Sequence, residues 1–262
     1  MASNPIIGLL TDFGTRDSYV AQMKGVILSR CAATIVDLGH EIDPFDVFGA
    51  GMLLREAAPR FEPIVRRPVV LVAVVDPGVG SSRRILAAEA GGRIFLAPDN
   101  GLLSVALDGA AHVVDVVNDR FFLPTRSSTF HGRDRFAPVA AALASGTGLD
   151  ELGPKIEHGT IVDLGYHPPD YSASAVVGQV TRIDRFGNIV TDLDPRNVGS
   201  FASLTVRQIE VSARASTYSE MGGSPDPFVI EGSNGTLEIS IASASAARVL
   251  GVEVRDPVSV SR

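Results

Sequence analysis

The stretch Val-Val-Leu-Val-Ala-Val-Val-Asp-Pro-Gly-Val-Gly-Ser-Ser-Arg-Arg, residues 69–84, decides the fold. Its first seven residues are apolar and mostly β-branched, a run without alternation that suits a strand buried on both faces in the middle of a parallel sheet. The run stops at Asp76. Pro77 fixes φ, and Gly78 and Gly80 tolerate conformations that other residues avoid, so the chain turns sharply and carries Arg83 and Arg84 to the far side of the turn. A carboxylate is thereby expected at the carboxyl end of a central strand, where open α/β sheets bind their ligands.

The flanking sequence repeats this design. Residues 5–10 form a short apolar run that ends in Thr11-Asp12-Phe13-Gly14-Thr15, again strand, aspartate and glycine turn. Over residues 18–30, Tyr19, Val20, Met23, Val26 and Ile27 recur at helical spacing, with Asp17 or Ser18 available as the cap. Residues 34–38 read as a second strand, and residues 46–61 as a second helix with Val47, Met52, Leu53 and Leu54 inward. Strand, helix, strand, helix, strand is the pattern of a parallel sheet with right-handed crossovers. Residues 93–97 and 112–117 read as further strands, the first closing on Pro98-Asp99-Asn100-Gly101. Phe130-His131-Gly132-Arg133-Asp134 then opens a helix through Phe136, Val139, Ala140 and Leu143, with Gly146 and Gly148 near its end. His131 is placed at a helix start, where backbone N–H groups and the dipole favour an anion or a neutral imidazole.

The pattern changes at Gly165-Tyr-His-Pro-Pro-Asp-Tyr171, a poor helix or strand former, and the expected domains are 1–167 and 168–262. Beyond it, residues 176–184, 189–193, 204–213, 228–231, 236–241 and 251–254 are short alternating segments between glycine, proline and asparagine turns. The expected fold is an N-terminal α/β domain, with a mainly parallel sheet flanked by helices, followed by a smaller all-β, barrel-like domain without helices.

Composition narrows the classes. Of 262 residues, 45 % are hydrophobic and 20 % charged, and no apolar run reaches bilayer length. The opening Met-Ala-Ser-Asn-Pro lacks the charged and apolar regions of a signal peptide, so a soluble cytoplasmic protein is expected. A net charge of −7 argues against a nucleic-acid binder that depends on phosphate contacts. The single cysteine, Cys31, excludes an internal disulfide and a multi-cysteine zinc site, and its apolar neighbours point to an inert thiol.

Asp12, Asp76 and either Asp99 or Asn100, all at strand ends, are placed to line one crevice and hold a sugar diol, an ammonium group or a water; the alternative is that each caps the next turn. Gly78-Val-Gly80 lacks the third glycine of a dinucleotide fingerprint, and no phosphate loop is present. His131 with Arg133 and Asp134, and His40 with Glu41 and Asp43, lack metal-ligand spacing, so no metal is expected. No nucleophile elbow is present. What remains is a water-binding or general-base site of carboxylate, guanidinium and imidazole. In the second domain, Phe186 and Asn188 of Asp184-Arg-Phe-Gly-Asn188 pair an aromatic with an amide, which suits stacking on a nucleobase and bonding to its edge; the alternative is a turn with a core phenylalanine. Glu231-Gly-Ser-Asn-Gly235 reads as a hairpin turn.

Five motifs in this order, Thr11-Asp-Phe-Gly-Thr15, Val75-Asp-Pro-Gly-Val-Gly80, Phe130-His-Gly-Arg-Asp134, Asp184-Arg-Phe-Gly-Asn188 and Gly232-Ser-Asn-Gly-Thr-Leu-Glu238, resemble the S-adenosylmethionine (SAM) hydroxide adenosyltransferase family, also called SAM hydrolases, relatives of fluorinating and chlorinating enzymes. The resemblance spans about residues 5–258. It implies attack of water or hydroxide on ribose C5′ of SAM to give adenosine and methionine, with no metal and no organic cofactor. It implies a homotrimer with the ligand between the N-terminal domain of one subunit and the C-terminal domain of the next. Asp76, Arg83 and His131 would hold the attacking water, and Asp12 the ribose hydroxyls. Asn188 would read adenine beside Phe186, while Asp184, Ser233 and Glu238 would hold the methionine end or shape the pocket. The competing expectations are a halide-dependent, chlorinase-like adenosyltransferase and a non-catalytic SAM or adenosine binder. The complete Asp-Arg-His set speaks against both, and no proline stands between Arg185 and Phe186 as it does in the fluorinating branch.

Overall fold

The computed structural model describes residues 4–62, 68–109, 112–124, 127–173 and 175–261. The chain divides into two units, Met1–Tyr166 and His167–Arg262.

The first unit runs β1 (Ile6–Thr11), α1 (Tyr19–Leu28), β2 (Thr34–Gly39), α2 (Val47–Ala57), β3 (Val69–Val74), β4 (Ile85–Ala90), β5 (Arg93–Pro98), α3 (Leu102–Ala106), β6 (His112–Asp115) and α4 (Ala137–Ala144). Its sheet has the order β2-β1-β3-β5-β4-β6. All six residues of β3 are buried because helices cover both faces. Val70 and Val72 join Ile7, Leu9, Met23, Ile27, Val139 and Ala140 on the face of α1 and α4. The alternate residues Leu71 and Ala73 join Leu10, Ala50, Leu54 and Leu102 on the face of α2 and α3. Each large apolar side chain so buried stabilises the fold by roughly 1.5–3 kcal/mol, which is why the run cannot alternate with polar residues.

The strand order positions the site. From β1 the chain moves outward to β2 and then crosses back over β1 to β3, pairing parallel at each step. With α1 and α2 on opposite faces, β1 and β3 straddle a topological switch point, and their carboxyl ends open a crevice. Asp12 directly follows β1, and Asp76 follows β3 by two residues.

Helix entry is uneven. Asp46 caps α2 by accepting the Gly49 N–H at 2.8 Å. Asp46→Ala is expected to destabilise the protein by about 1 kcal/mol, read as a lower denaturant midpoint with unchanged slope. At α1 the expected cap bond is missing, because the Ser18 hydroxyl instead accepts from the Gln22 side chain at 2.9 Å.

Two parts of the first unit go beyond the sequence reading. Residues 85–90, Ile-Leu-Ala-Ala-Glu-Ala, to which that reading assigns no element, form the strand β4, antiparallel to both β5 and β6. Sheet pairing overrides their helical preference, and the two-residue turn at Gly91 and Gly92, both at positive φ, closes the β4–β5 hairpin. The strand expected over 112–117 ends at Asp115. Cys31 lies just past α1, half-buried, with burial pushing its thiol pKa up.

The second unit contains β7 (Val177–Ile183), β8 (Ile189–Thr191), α5 (Pro195–Val198), β9 (Ser203–Val206), β10 (Ile209–Val211), β11 (Pro227–Glu231), β12 (Leu237–Ile241), α6 (Ala246–Leu250) and β13 (Pro257–Ser261). Its sheet, β10-β9-β13-β7-β8-β12-β11, pairs antiparallel throughout. It nearly closes into a barrel, because the segment after β10 bridges β11 through Arg214 and Val229. Val180, Leu204, Val206, Ile239 and Val258 fill the interior. Residues 204–213 are two strands split at Arg207 and Gln208, both at positive φ. The last strand is β13 rather than residues 251–254, which form turns, and helices are not absent: α5 and α6 are short helices capped by Asp194 and Ser245. Among the described residues no helix is long and apolar enough to cross a membrane.

Candidate functional site

In the first unit three side chains from separate elements meet. Arg83 donates from Nε to Asp76 Oδ1 at 2.9 Å, and from Nη2 to Asp76 Oδ2 and to His131 Nδ1, the latter at 2.8 Å. The Arg83 and Asp76 side chains are 9 % and 4 % exposed. The turn that returns Arg83 onto Asp76 needs Gly80, since its φ is +82° and a Cβ there would sit 2.9 Å from the Ser128 carbonyl oxygen. The Arg83 guanidinium lies over the buried Phe136 ring, 5.6 Å from its centre.

His131 is delivered by an irregular helix start. Residues Gly132–Phe136 form a π turn, and the Ala137 N–H reaches back five residues to the Gly132 carbonyl. A guanidinium only donates, so His131 Nδ1 is an acceptor and the proton sits on Nε2. That Nε2–H is buried, with no hydrogen-bond partner among the described residues. Burial first, then the positive charges of Arg135 and Arg83, push the imidazole pKa from 6.5 down to about 4, against the pull of Asp76 and Asp134. The ring is therefore neutral at physiological pH, with Nε2–H as a buried donor.

Asp12 sits in the neighbouring turn, with Oδ2 accepting the Phe45 N–H at 3.0 Å. Phe45 itself is exposed and at positive φ. The other strand-end candidates serve the scaffold. Asp99 is buried, pairs with Arg84 and holds the Val162 N–H. Asn100 donates to the Val75 carbonyl and accepts from the Leu102 N–H, tying the end of β3 to the start of α3. Arg133 binds both oxygens of Asp134, and Glu41 accepts from Thr15. Among the described residues no group of three or more His, Cys, Asp or Glu is placed to hold a metal ion.

The second unit carries a cleft of about 1230 Å³ whose walls include Asp184, Phe186, Asn188, Tyr218, Ser233 and Glu238. Asp184 organises one wall: Oδ1 accepts the N–H groups of Phe186 and Asn188, and Oδ2 accepts Asn188 Nδ2 at 2.9 Å. A carboxylate only accepts, so the Asn188 amide orientation is fixed with its NH₂ toward Asp184. Phe186 is 78 % exposed, which removes the core-phenylalanine alternative. The Tyr218 hydroxyl accepts from Asn188 Nδ2 at 3.4 Å and donates to the buried Glu238 at 3.3 Å.

Two family profiles cover this chain in order: the SAM hydroxide adenosyltransferase N-terminal domain matches residues 7–153, and the C-terminal domain of the same family matches residues 178–259. The chain belongs to the SAM hydroxide adenosyltransferase family. One relative in this family, from Salinispora arenicola and named (R)-S-adenosyl-L-methionine hydrolase, is 34 % identical over 100 % of this chain and 99 % of its own. A fluorinase from Actinoplanes sp. is 29 % identical over 99 % of this chain and 98 % of its own. A crystal structure of an uncharacterized conserved protein from Thermotoga maritima superposes with a TM-score of 0.86 at 33 % identity, over 98 % of this chain and 100 % of that one.

Within the family frame, Asp76, Arg83 and His131 come together in the first unit, and Asp184, Phe186, Asn188, Ser233 and Glu238 share one cleft in the second. Sequence reasoning missed Tyr218 and Phe45. Tyr218 opens a short 3₁₀ turn, Tyr218–Met221, with no motif around it, and the signal at Phe45, a backbone N–H given to a residue 33 positions earlier, exists only in three dimensions.

Proposed function

We propose that this protein hydrolyses SAM, in its R-sulfonium form, to adenosine and L-methionine. The observation that carries this reading is the Arg83 guanidinium spanning Asp76 and His131 while His131 Nε2–H is left as a buried, unused donor. Such a group suits the oxygen of a water or hydroxide. The water oxygen forms a bond to C5′, the C5′–S bond breaks, and its electron pair returns to sulfur as the neutral thioether of methionine. One proton is released. Arg83 and His131 stabilise negative charge on the incoming oxygen, and Asp76, whose oxygens keep lone pairs beyond those that Arg83 uses, relays the proton toward solvent. A sulfonium leaves without protonation, so the reaction assigns no step to a metal or organic cofactor. In-line alignment of oxygen, C5′ and sulfur supplies much of the remainder, an effect worth up to about 7–11 kcal/mol in well-oriented systems.

The substrate contacts divide accordingly. Asp12 takes the ribose hydroxyls. Asn188 presents its amide to the adenine edge beside the exposed Phe186 ring, Ser233 and Glu238 face the methionine end, and Asp184 shapes the turn that holds Asn188. The family resemblance adds a homotrimer in which the N-terminal residues of one subunit act with the C-terminal cleft of the next, and sedimentation at three chain masses is the expected result.

The decisive experiment incubates the protein, dialysed against a chelator, with each sulfonium epimer in the presence and absence of chloride. Equal amounts of adenosine and methionine from the R epimer, unchanged by chelation or chloride, are expected. Chloride-dependent 5′-chloro-5′-deoxyadenosine would assign the halide-using branch instead. Retained SAM without product would assign a binding protein.

A further inference from the structure

The chemistry above leaves unused the imidazole of His40, which lies just past β2 and is 7 % exposed. Both ring nitrogens are bonded: Nδ1 to the Thr11 hydroxyl at 2.8 Å and Nε2 to Asp37 Oδ1 at 3.0 Å. Asp37 also accepts from Lys24 at 2.7 Å. Burial acts to raise the Asp37 pKa, but the hydrogen bonds from Lys24 and His40 and the charge of Lys24 hold it below its ordinary value. An ionised carboxylate only accepts, so Nε2 carries a proton, and in the neutral ring Nδ1 is an acceptor. The fully buried Thr11 hydroxyl therefore donates to Nδ1, while its oxygen accepts the Phe13 N–H at 3.3 Å. The His40 carbonyl takes the Gly14 N–H at 2.7 Å. His40 thus holds the chain on both sides of Asp12, Thr11 through its side chain and Gly14 through its backbone.

We infer that His40 is a positioning residue that aims the Asp12 carboxylate at its ligand, with Lys24, Asp37 and Thr11 fixing its tautomer and orientation. The inference rests on the proposed ribose role of Asp12. A space-filling role would be met by an apolar side chain with no polar groups to desolvate, whereas here every polar atom of the ring is matched by a directional partner. A vicinal diol demands such aim, because its two hydroxyls must donate to one carboxylate at fixed spacing, and the Phe45 N–H already pins one oxygen.

The test is a double-mutant cycle read by adenosine Kd, SAM KM and kcat. His40→Leu is expected to raise Kd and KM about 10-fold with kcat within about 2-fold, the size of effect expected from losing the bonds that orient one binding group. His40→Asn, whose amide oxygen falls near the place of Nδ1 and can accept from Thr11, is expected to recover most of the loss. In an Asp12→Ala background His40→Leu is expected to add almost nothing, since the group it aims is gone. The same factor in both backgrounds would reduce His40 to a structural residue and overturn the inference while leaving the Asp12 assignment standing. An unchanged adenosine affinity in Asp12→Ala alone overturns the ribose assignment and this inference with it. Should His40→Leu fail to fold, Thr11→Val, similar in shape without the hydroxyl, completes the same cycle.

Discussion

Arg83→Gln lowers kcat for SAM hydrolysis by about 10³-fold and changes adenosine affinity by less than about 3-fold; this is the expected result if the guanidinium acts on the incoming oxygen rather than on the nucleoside. The glutamine amide preserves a donor toward His131 but removes the charge proposed to stabilise developing hydroxide. Glutamine is preferred to alanine for a structural reason. Asp76 is 4 % exposed beneath Arg83, and leaving that carboxylate with no donor at all would cost about 3–5 kcal/mol of stability, confusing lost chemistry with lost fold. A melting temperature near that of the parent protein, with turnover gone and adenosine still bound, supports the role. A loss of adenosine affinity equal to the loss of turnover contradicts it.

His131→Gln is expected to lower kcat by about 10²-fold, because one donor to the reacting oxygen and the partner of Arg83 are both disturbed. It is also expected to alter the response of stability to acid, with a sign fixed by the depressed pKa. Unfolded chains take up a proton on this histidine as pH falls through about 6.5, whereas the native imidazole resists protonation until about 4. The native state is therefore at its full advantage above pH 6.5 and loses up to about 3 kcal/mol as pH falls to about 4, where the loss levels off. Denaturant unfolding of both proteins at pH 7 and pH 4.5 measures this. The glutamine variant should lose less stability between those two pH values, and equal losses would mean that the imidazole titrates normally in the folded protein.

What was legible in the sequence followed from burial and from turn chemistry. The apolar run ending at Asp76 could only belong to a strand covered on both sides, and proline with glycine after it forced the return that sets Arg83 on Asp76. Helical spacing located α1, α2 and α4 for the same reason, since one face of each meets the sheet. Residues 85–90 were not legible, because alanine, leucine and glutamate favour a helix and become β4 only through pairing with β5 and β6. Residues 257–261 were missed in favour of 251–254 because β13 finds its partners in β7 and β9, far back in the chain. At the site, the acidic and basic members could be named from motifs. Their occupation could not: that Asp99 serves Arg84, that Asp134 serves Arg133, and that Asp184 spends both oxygens on its own turn are facts of geometry.

The π turn at Gly132–Phe136 separates two sets of demands that an unbroken α-helix would tie together. In such a helix each residue advances by about 100°, so the angle at which His131 meets Arg83 would be dictated by the packing of Val139, Ala140 and Leu143 against the sheet. Widening one turn uncouples the two. From Phe136 onward the helix answers to the core, while His131 before the turn is free to meet Arg83. The scaffold and the chemistry of this protein are in that sense separately adjustable, along a single helix.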